Sequence, residues 1–448
     1  MKQITQAQEA TTMPDRIIFH ADCNNFFASC EILERPELKS VPMAVAGDPE
    51  NRVGIVVAKN EIAKKYGVKT TDTVYAARQK CPDIVFVPPR HHYYSAISKK
   101  VNEIYLRYTD YVEPASIDES YIDMTAFVAS RVPHAADSIG DTQFLETAAH
   151  AVADELRSRV RSEIGITISV GVSYCKIFAK MGSDYKKPDA TTVITRENYK
   201  ELLWPLPVGD LFMVGKAAAN TLSKRYIRTI GDLARQNPDT LHELLGKHGD
   251  LLWRYANVID GEAVRLYGDR PEIKSVSRGR TFKRDLVESG EIRTAVTVLS
   301  DEVARELRRH NMKGEVVSVQ IRRPDMSIIS RQSQLGHYTF LQREIQDTAY
   351  ELVKTHWRIG DPIRALTVGV GKLAHTDEVV EQIDMFGDLL STVALGNGSK
   401  QVYTRNREKQ EKLESLMDEL RGKYGQNSIT LGYQENKGIG ITRGEGKR

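Results

Sequence analysis

Two rhythms of apolar positions run along this chain. Arg16–Ala21 (RIIFHA) is a short apolar run that predicts a buried strand delivering Asp22 at its end. Phe26 to about Glu34 predicts a helix, Ala44–Ala46 and Ile55–Ala58 predict strands, and Gly67 and Pro82 punctuate small helices up to about Val87. A helix rich in Tyr and basic residues is expected from about Tyr93 to Tyr108. Two short strands follow over Tyr111–Met124, with Ser116-Ile117-Asp118-Glu119 at their junction. Ala126–Thr142 is polar, contains Pro133 and Gly140, and is expected to be a surface insertion. Leu145, Ala149, Val152, Leu156, Val160 and Ile164 then recur at helical spacing up to Gly165, and Ile166–Val172 predicts a strand. Strands separated by helices, with carboxylates at strand ends, specify an α/β sheet domain with helices on one face.

From about Arg196 to Gly268 the pattern is helical, and Gly215, Gly231 and Gly246 are expected to break it into short helices. Beyond residues 269–275 (DRPEIKS) comes strand, helix, strand, strand, helix, strand, ending near Val370. Val317, Val319 and Ile321 alternate with Ser318, Gln320 and Arg322, and Leu366, Val368 and Val370 with Thr367, Gly369 and Gly371. One apolar face under helices and one polar, basic face would suit a sheet laid against a polyanion. The remaining tail is polar, with one helical patch predicted at Glu408–Leu420.

The 448 residues leave room for three or four domains. Hydrophobic residues at 41% and charged residues at 27% describe an ordinary globular composition, and no apolar run reaches the ~20 residues a membrane helix needs. The N-terminus has no apolar signal core, so the expectation is a cytoplasmic protein with a short loose leader and no membrane partner. Cys23, Cys30, Cys81 and Cys175 are scattered without zinc or disulfide spacing, which leaves reduced buried thiols. A net charge of +3 does not decide for or against nucleic acid, because a groove needs local basic charge.

Asp22 ends one strand and Asp118-Glu119 sits between two others, so the three acids can meet at one sheet edge. Phosphoryl transfer from a nucleoside triphosphate needs such a meeting. Two Mg²⁺ ions ~4 Å apart neutralise the attacking and leaving oxygens, and Mg²⁺ prefers carboxylate and carbonyl ligands. The acids alone are ambiguous, since an acidic pair in a turn is more often a solvated loop. Their surroundings are not. DCNNFFASCE (Asp22–Glu31) and ASIDESYID (Ala115–Asp123) resemble the two signature motifs of the Y-family DNA polymerases, particularly the UmuC-like branch with its Asp-x-Asn-x-Phe-aromatic-Ala-Ser-Cys-Glu run. GVSYCKIFAKMGSDYKKPDA (Gly171–Ala190) resembles the third motif and WPLPVGDLFMVGK (Trp204–Lys216) the thumb entry. The similarity runs in order from about Asp15 to Phe386.

The resemblance implies a right-hand polymerase of mixed α/β class. Its parts would be a flexible leader (1–14), a ferredoxin-like palm (15–25 and 88–198), small fingers (26–87) and a helical thumb of helix–hairpin–helix type (199–268). A linker (269–275), a little-finger domain of four strands and two helices (276–374), and a clamp-binding peptide with a polar tail (375–448) would follow. It implies low-fidelity DNA synthesis opposite damaged template bases, in DNA repair and SOS-type mutagenesis. Carried across by residue, Asp22, Asp118 and Glu119 become the acids that hold two Mg²⁺ ions, with the backbone carbonyl of Cys23. Phe27 matches the aromatic steric gate, whose ring leaves no room for a 2′-hydroxyl; Phe26 is the better candidate for core. Backbone N–H groups around Asn24, Asn25, Phe26 and Phe27, at a helix start, suit triphosphate oxygens. Lys187 matches the triphosphate-binding lysine, with Lys186 solvated beside it. In the fingers Lys64 stands where better-known members carry Arg and Glu61 where they carry Tyr. Lysine keeps the charge but not the planar fork, so Lys64 is expected on phosphate and Glu61 takes no catalytic role.

Val214, Gly215 and Lys216 occupy a helix–hairpin–helix-like setting whose turn amides can bind a DNA phosphate. Arg278, Arg280, Lys283 and Arg284 lie on a predicted strand, and Arg322, Arg323 and Arg331 add to its sheet. Together they are expected to track the backbone of primer-template DNA without reading sequence, in a strongly salt-dependent way. Gln382-Ile383-Asp384-Met385-Phe386 resembles the pentapeptide that binds the bacterial sliding clamp; the alternative is a short hydrophobic staple. The UmuC-like branch often works with a partner subunit and a recombinase filament, and no residue run here identifies either contact. Two other classes compete: a non-catalytic DNA- and clamp-binding protein, and another palm-type enzyme such as a nucleotide cyclase. Three retained acids and Lys187 argue against an inert binder. The helical thumb, the basic domain and the clamp-like peptide are surplus to a cyclase.

Overall fold

The computed structural model of the chain describes residues 16–48, 54–131, 144–259, 261–379, 398–425, 428–429 and 440. Two compact units divide between Arg270 and Pro271. No described helix is long and apolar enough to cross a membrane.

In the first unit the RIIFHA run becomes β1 (Ile18–Cys23), buried at every position, and α1 (Phe26–Glu34) follows it. β2 (Met43–Ala46), β3 (Val56–Lys59), α2 (Glu61–Lys65), α3 (Val74–Lys80) and β4 (Val85–Val87) build a small three-stranded sheet, ordered β3-β2-β4, with its own apolar cluster. Asn60 and Thr73 cap α2 and α3 through their side chains. Next come α4 (His91–Tyr105), β5 (Val112–Pro114), β6 (Glu119–Asp123), α5 (Thr125–Ser130) and α6 (His150–Ile164), the last ended by Gly165 at φ 89°. β7 (Ile168–Ser173), α7 (Lys176–Tyr185) and β8 (Thr191–Val193) complete a five-stranded sheet ordered β5-β6-β1-β7-β8.

The expectation of helices on one face needs correction. Phe19, Ala21 and Cys23 point into the cluster shared with α4 and α6, whereas His20 and Asp22 point to the other face, where α7 lies. Six consecutive buried residues already require cover on both sides. Gly171 permits the close approach: a Cβ there would sit 1.9 Å from the Ala179 carbonyl oxygen and 2.4 Å from the Ser183 nitrogen.

Five short helices follow: α8 (Tyr199–Leu203), α9 (Lys216–Ser223), α10 (Ile230–Ala234), α11 (Pro238–Leu245) and α12 (Lys247–Ala256). They share one apolar cluster with α7. Gly215 precedes α9 and Gly246, at φ 63°, separates α11 from α12. Gly231 does not break a helix. It lies inside α10, where a Cβ would meet Trp204 Cβ at 3.0 Å.

The second unit runs β9 (Ser275–Leu286), α13 (Ser289–Arg309), β10 (Met312–Arg322), β11 (Ile328–Thr339), α14 (Gln342–His356) and β12 (Ile363–His375). The antiparallel sheet is ordered β11-β10-β12-β9. Val317, Val319, Ile321, Leu366, Val368 and Val370 face the helices as the alternation predicts. The basic residues mostly do not take the opposite face. Arg278 pairs in register with Val368 and Arg280 with Leu366, so both side chains share the helix side, where they form ion pairs of 2.7 Å with Glu306 and Glu302. Arg284 pairs with Glu291 of α13, and Arg331 stands opposite Val319. Arg323 stacks 5.3 Å over the Trp357 ring. Of the basic residues predicted for that face, Arg322, opposite Ala365, and exposed Lys283 remain as candidates. Its other positions include Ser277, Gly279, Ser318, Gln320, Thr367 and Gly369.

The helical patch expected at Glu408–Leu420 extends over α15 (Gly398–Tyr424). Charged residues at helical spacing hold it to the second unit. Glu411 meets Lys313, Glu414 and Asp418 meet Arg308, and Arg421 meets Asp301. The leader 1–14 and Gln382–Phe386 lie outside the described residues.

Candidate active site

The sheet brings the predicted acids together. Asp22 on β1 is the register partner of Glu119 on β6, and the Cys23 N–H donates to the Asp118 carbonyl at 2.9 Å. Ser116 pins the turn before them. Its hydroxyl donates to Asp118 Oδ1 at 2.7 Å and accepts from the amides of Asp118 and Glu119.

Two ammonium groups lie against these acids. Lys187 Nζ donates to Asp22 Oδ2 at 2.5 Å and pairs with Asp184 at 2.7 Å. Lys180 Nζ, from α7, reaches Glu119 Oε1 at 2.6 Å, Asp184 at 3.3 Å and Asp22 Oδ2 at 3.5 Å. The triangle through Lys180 keeps the Asp22 and Glu119 oxygens within about 6 Å, a gap that ions spaced ~4 Å apart can bridge. Burial pushes the Asp22 carboxyl up to about 6, against the pull of Lys187 and Lys180. For both lysines burial works the other way, but the surrounding carboxylates prevail and hold the ammoniums above their usual value.

Among the described residues no three His, Cys, Asp or Glu side chains form a ready metal cage. The donor set still fits a hard divalent cation. Carboxylate oxygens on adjacent strands are the ligands Mg²⁺ takes, and the lysines now hold the lone pairs such an ion would use. The Cys23 thiol is buried in the apolar cluster, and burial and the nearby acids push its pKa up, so it offers no thiolate.

The acids form one end of a cleft of about 350 Å³. Asn25, Phe26, Phe27, Lys187, Lys59 at the end of β3, and Glu61 and Lys64 of α2 line the rest. Asn24 departs from expectation. Its amide donates to Thr167 O, its side-chain amide to Thr167 Oγ1, and its Oδ1 accepts from Ser169. Asn24 therefore ties the start of α1 to β7, and its N–H is not open to a triphosphate. The amides of Phe26 and Phe27, in the first turn of α1, have no intrahelical partner. Asn25, in the left-handed region at φ 49°, donates from its side chain to Glu61 Oε1 at 2.9 Å, and Glu61 also meets Lys64 at 3.5 Å. Glu61 thus orients both neighbours.

Sequence reasoning missed Lys180, Asp184, Lys59 and His20. Lys180 and Asp184 are spaced i, i+4 with Lys187 just past the helix end, a helical-face signal that was available. Buried His20 lies beneath the acids. Its Nδ1 is 2.7 Å from Ser183 Oγ, which donates to the Lys180 carbonyl, and its Nε2 is 3.9 Å from Glu119. Burial and Lys180 hold the imidazole well below its usual value. Elsewhere, Met213 at φ 72° turns the chain into α9, with Val214 buried and Gly215 and Lys216 exposed.

Known proteins resemble this chain over most of its length. Residues 21–184 match the impB/mucB/samB family and residues 273–385 the C-terminal domain of that family. The DNA polymerase IV of Acetivibrio thermocellus is 39% identical over 417 residues, 93% of this chain and 97% of the relative. That of Oceanobacillus iheyensis is 35% identical, covering 94% of this chain and 92% of the relative. DNA polymerase IV 1 of Bacillus subtilis is 33% identical, over 96% and 95%. A solved Y-family DNA polymerase chimera shares the fold at a TM-score of 0.68 and 24% identity, covering 80% of this chain and 99% of its own. With this identity sustained over nearly the whole chain, the protein belongs to the impB/mucB/samB family, the Y-family of DNA polymerases.

Proposed function

We propose that this protein is a DNA-directed DNA polymerase that inserts dNTPs opposite damaged template bases, and that Asp22, Asp118 and Glu119 hold its divalent metals. The pairing of Asp22 with Glu119 across β1 and β6, beside Lys187, carries the reading. When bound, two Mg²⁺ ions would supply charge neutralisation at the attacking and leaving oxygens. The Cys23 carbonyl is the further oxygen ligand we assign. Lys187 and Lys64 receive the triphosphate with the first-turn amides of Phe26 and Phe27, and Phe27 excludes the 2′-hydroxyl. Lys59, held below its usual pKa by burial and by Lys64, adds positive charge to the same wall.

The Val214–Lys216 turn offers amides to a phosphate, and the open face of the second unit offers hydroxyls, small residues, Arg322 and Lys283. Gln382–Phe386 is proposed to bind the sliding clamp. The UmuC-like placement rests on the signature run. The relatives' names support the DNA polymerase IV group instead, and we adopt it; the accessory subunit and recombinase filament lose that support.

Running-start primer extension across an abasic site, with Mg²⁺ and dNTPs, tests the function. Asp118→Ala should abolish extension and leave DNA binding nearly intact. Binding without extension by the unaltered protein would instead identify a non-catalytic DNA binder.

A further inference from the structure

Phe27 does not stand alone in the cleft. Its ring stacks on Tyr94 of α4 with centroids 4.3 Å apart and planes inclined by 18°, while His91 meets it edge-on at 5.7 Å. Tyr94 is fully buried, and its hydroxyl donates to Glu31 Oε1 at 2.6 Å. Glu31, also fully buried, accepts from Arg90 Nε at 2.9 Å and Nη2 at 2.8 Å, and pairs with Arg35 at 2.5 Å. Burial alone would raise the Glu31 carboxyl, but Arg90, Tyr94 and Arg35 hold it below its usual value, so it is a carboxylate. Arg90 is fixed in turn by Glu34 and by the Tyr93 ring 4.5 Å away.

A fully buried carboxylate held by two guanidiniums and a phenol is more elaborate than packing α1 on α4 requires. An apolar pair would fill the same space without the desolvation of charge. What the cluster adds is direction. A charge-assisted hydrogen bond of 2.6 Å fixes how far the Tyr94 ring stands from α1, and the ring fixes how far Phe27 reaches into the cleft.

We propose that Tyr94, anchored by Glu31, is a positioning residue that sets sugar selection by holding Phe27 forward. The proposal rests on the reading of Phe27 as the residue that excludes the 2′-hydroxyl. Exclusion by clash is only as sharp as the excluding atom is fixed. A ring free to retreat by a fraction of an ångström admits the extra oxygen, as misplacement does at any positioned site.

The test is single-nucleotide insertion of dCTP and rCTP opposite template dG by the full-length protein, read as the ratio of their kcat/KM values. General damage lowers both numbers and leaves the ratio unchanged, so the ratio separates positioning from folding. Phe27→Ala should collapse the ratio. Tyr94→Leu, which removes the plate but keeps an apolar side chain, should lower it about tenfold, within the range of small-group discrimination in a pocket. Tyr94→Phe, which keeps the ring and loses the Glu31 anchor, should lower it by a smaller factor. A collapsed ratio in Phe27→Ala with an unchanged ratio in Tyr94→Leu overturns the role of Tyr94 and leaves the Phe27 reading standing. An unchanged ratio in Phe27→Ala removes the Phe27 reading itself, and the proposal with it. Should Tyr94→Leu fail to fold, Tyr94→Phe decides: a lowered ratio supports the anchor and an unchanged one overturns it.

Discussion

Replacing Lys180 with alanine should destabilise the metal-free protein far more than the metal-loaded one. Lys180 is 13% exposed and lies within 3.5 Å of Glu119, Asp184 and Asp22. Removing it leaves carboxylates facing one another in a partly buried site. Deleting one partner of a buried pair costs ~3–5 kcal/mol, and because Glu119 retains 26% exposure we expect ~2 kcal/mol here. At ~2–4 °C per kcal/mol for a unit of this size, Tm in EDTA should fall by ~4–8 °C. Excess Mg²⁺ restores positive charge to the cluster, so the gap between variant and parent should close. The assay is thermal unfolding of both proteins, with and without Mg²⁺. An equal loss in both conditions would refute the reasoning, since Lys180 would then act by packing. No loss in either would mean that the acids do not need a cation.

Four further outcomes follow from the geometry. Replacing Lys283 or Arg322 with glutamine should lower the slope of log Kd for DNA against log salt by about 0.9 for each phosphate left without its cation. The same change at Arg278 or Arg280 should leave that slope alone and lower stability by at most about 1 kcal/mol, as expected for half-exposed ion pairs. The double change Glu414→Gln, Asp418→Asn strips Arg308, 8% exposed, of both counter-charges; it should cost about 3 kcal/mol and make α15 sensitive to protease. Burial alone would raise the Glu113 carboxyl, but Lys176 and Arg265 hold it below its usual value, so its stabilisation is complete above the unfolded pKa and lost as pH falls through the folded one. Glu113→Gln should therefore lower Tm at pH 7, with the difference from the parent shrinking below about pH 4.

The palm was readable where short-range rules govern it. A six-residue apolar run, a glycine ending α6 and acids at strand ends are local signals, and Asp22, Asp118 and Glu119 follow from them once the strands pair. Lys180 was readable as sharing a helix face with Asp184, but not as a neighbour of the acids. It reaches the acids because Gly171 lets α7 settle onto β7, and a missing Cβ on one element says nothing about which lysine of another arrives there. Asn24 failed for a related reason. A polar residue at a helix start promises donors, but here they are taken by Thr167 while the side-chain oxygen accepts from Ser169, both far along the chain. The stacking of Tyr94 on Phe27 was equally hidden, since a Tyr on an amphipathic helix reads as core until its partner is known.

The second unit was misread through its charges. On β9 only Val276, Phe282 and Leu286 are buried, so a run of arginines looked like a solvated groove. Counting by two from Val276 nevertheless puts Arg278 and Arg280 on the covered side. There their aliphatic stems can lie along apolar surface while the guanidiniums reach Glu306 and Glu302. Docking of α15 escaped for the same reason, because pairings built from Glu411, Glu414, Asp418 and Arg421 leave no apolar period to detect. Once those arginines and acids are paired among themselves, the open face is mainly Ser, Gly, Thr and Gln with few cations. Such a face can meet a DNA backbone through close approach and hydroxyl donors rather than through accumulated charge. A net charge of only +3 is then enough, and the salt dependence of binding should be correspondingly shallow.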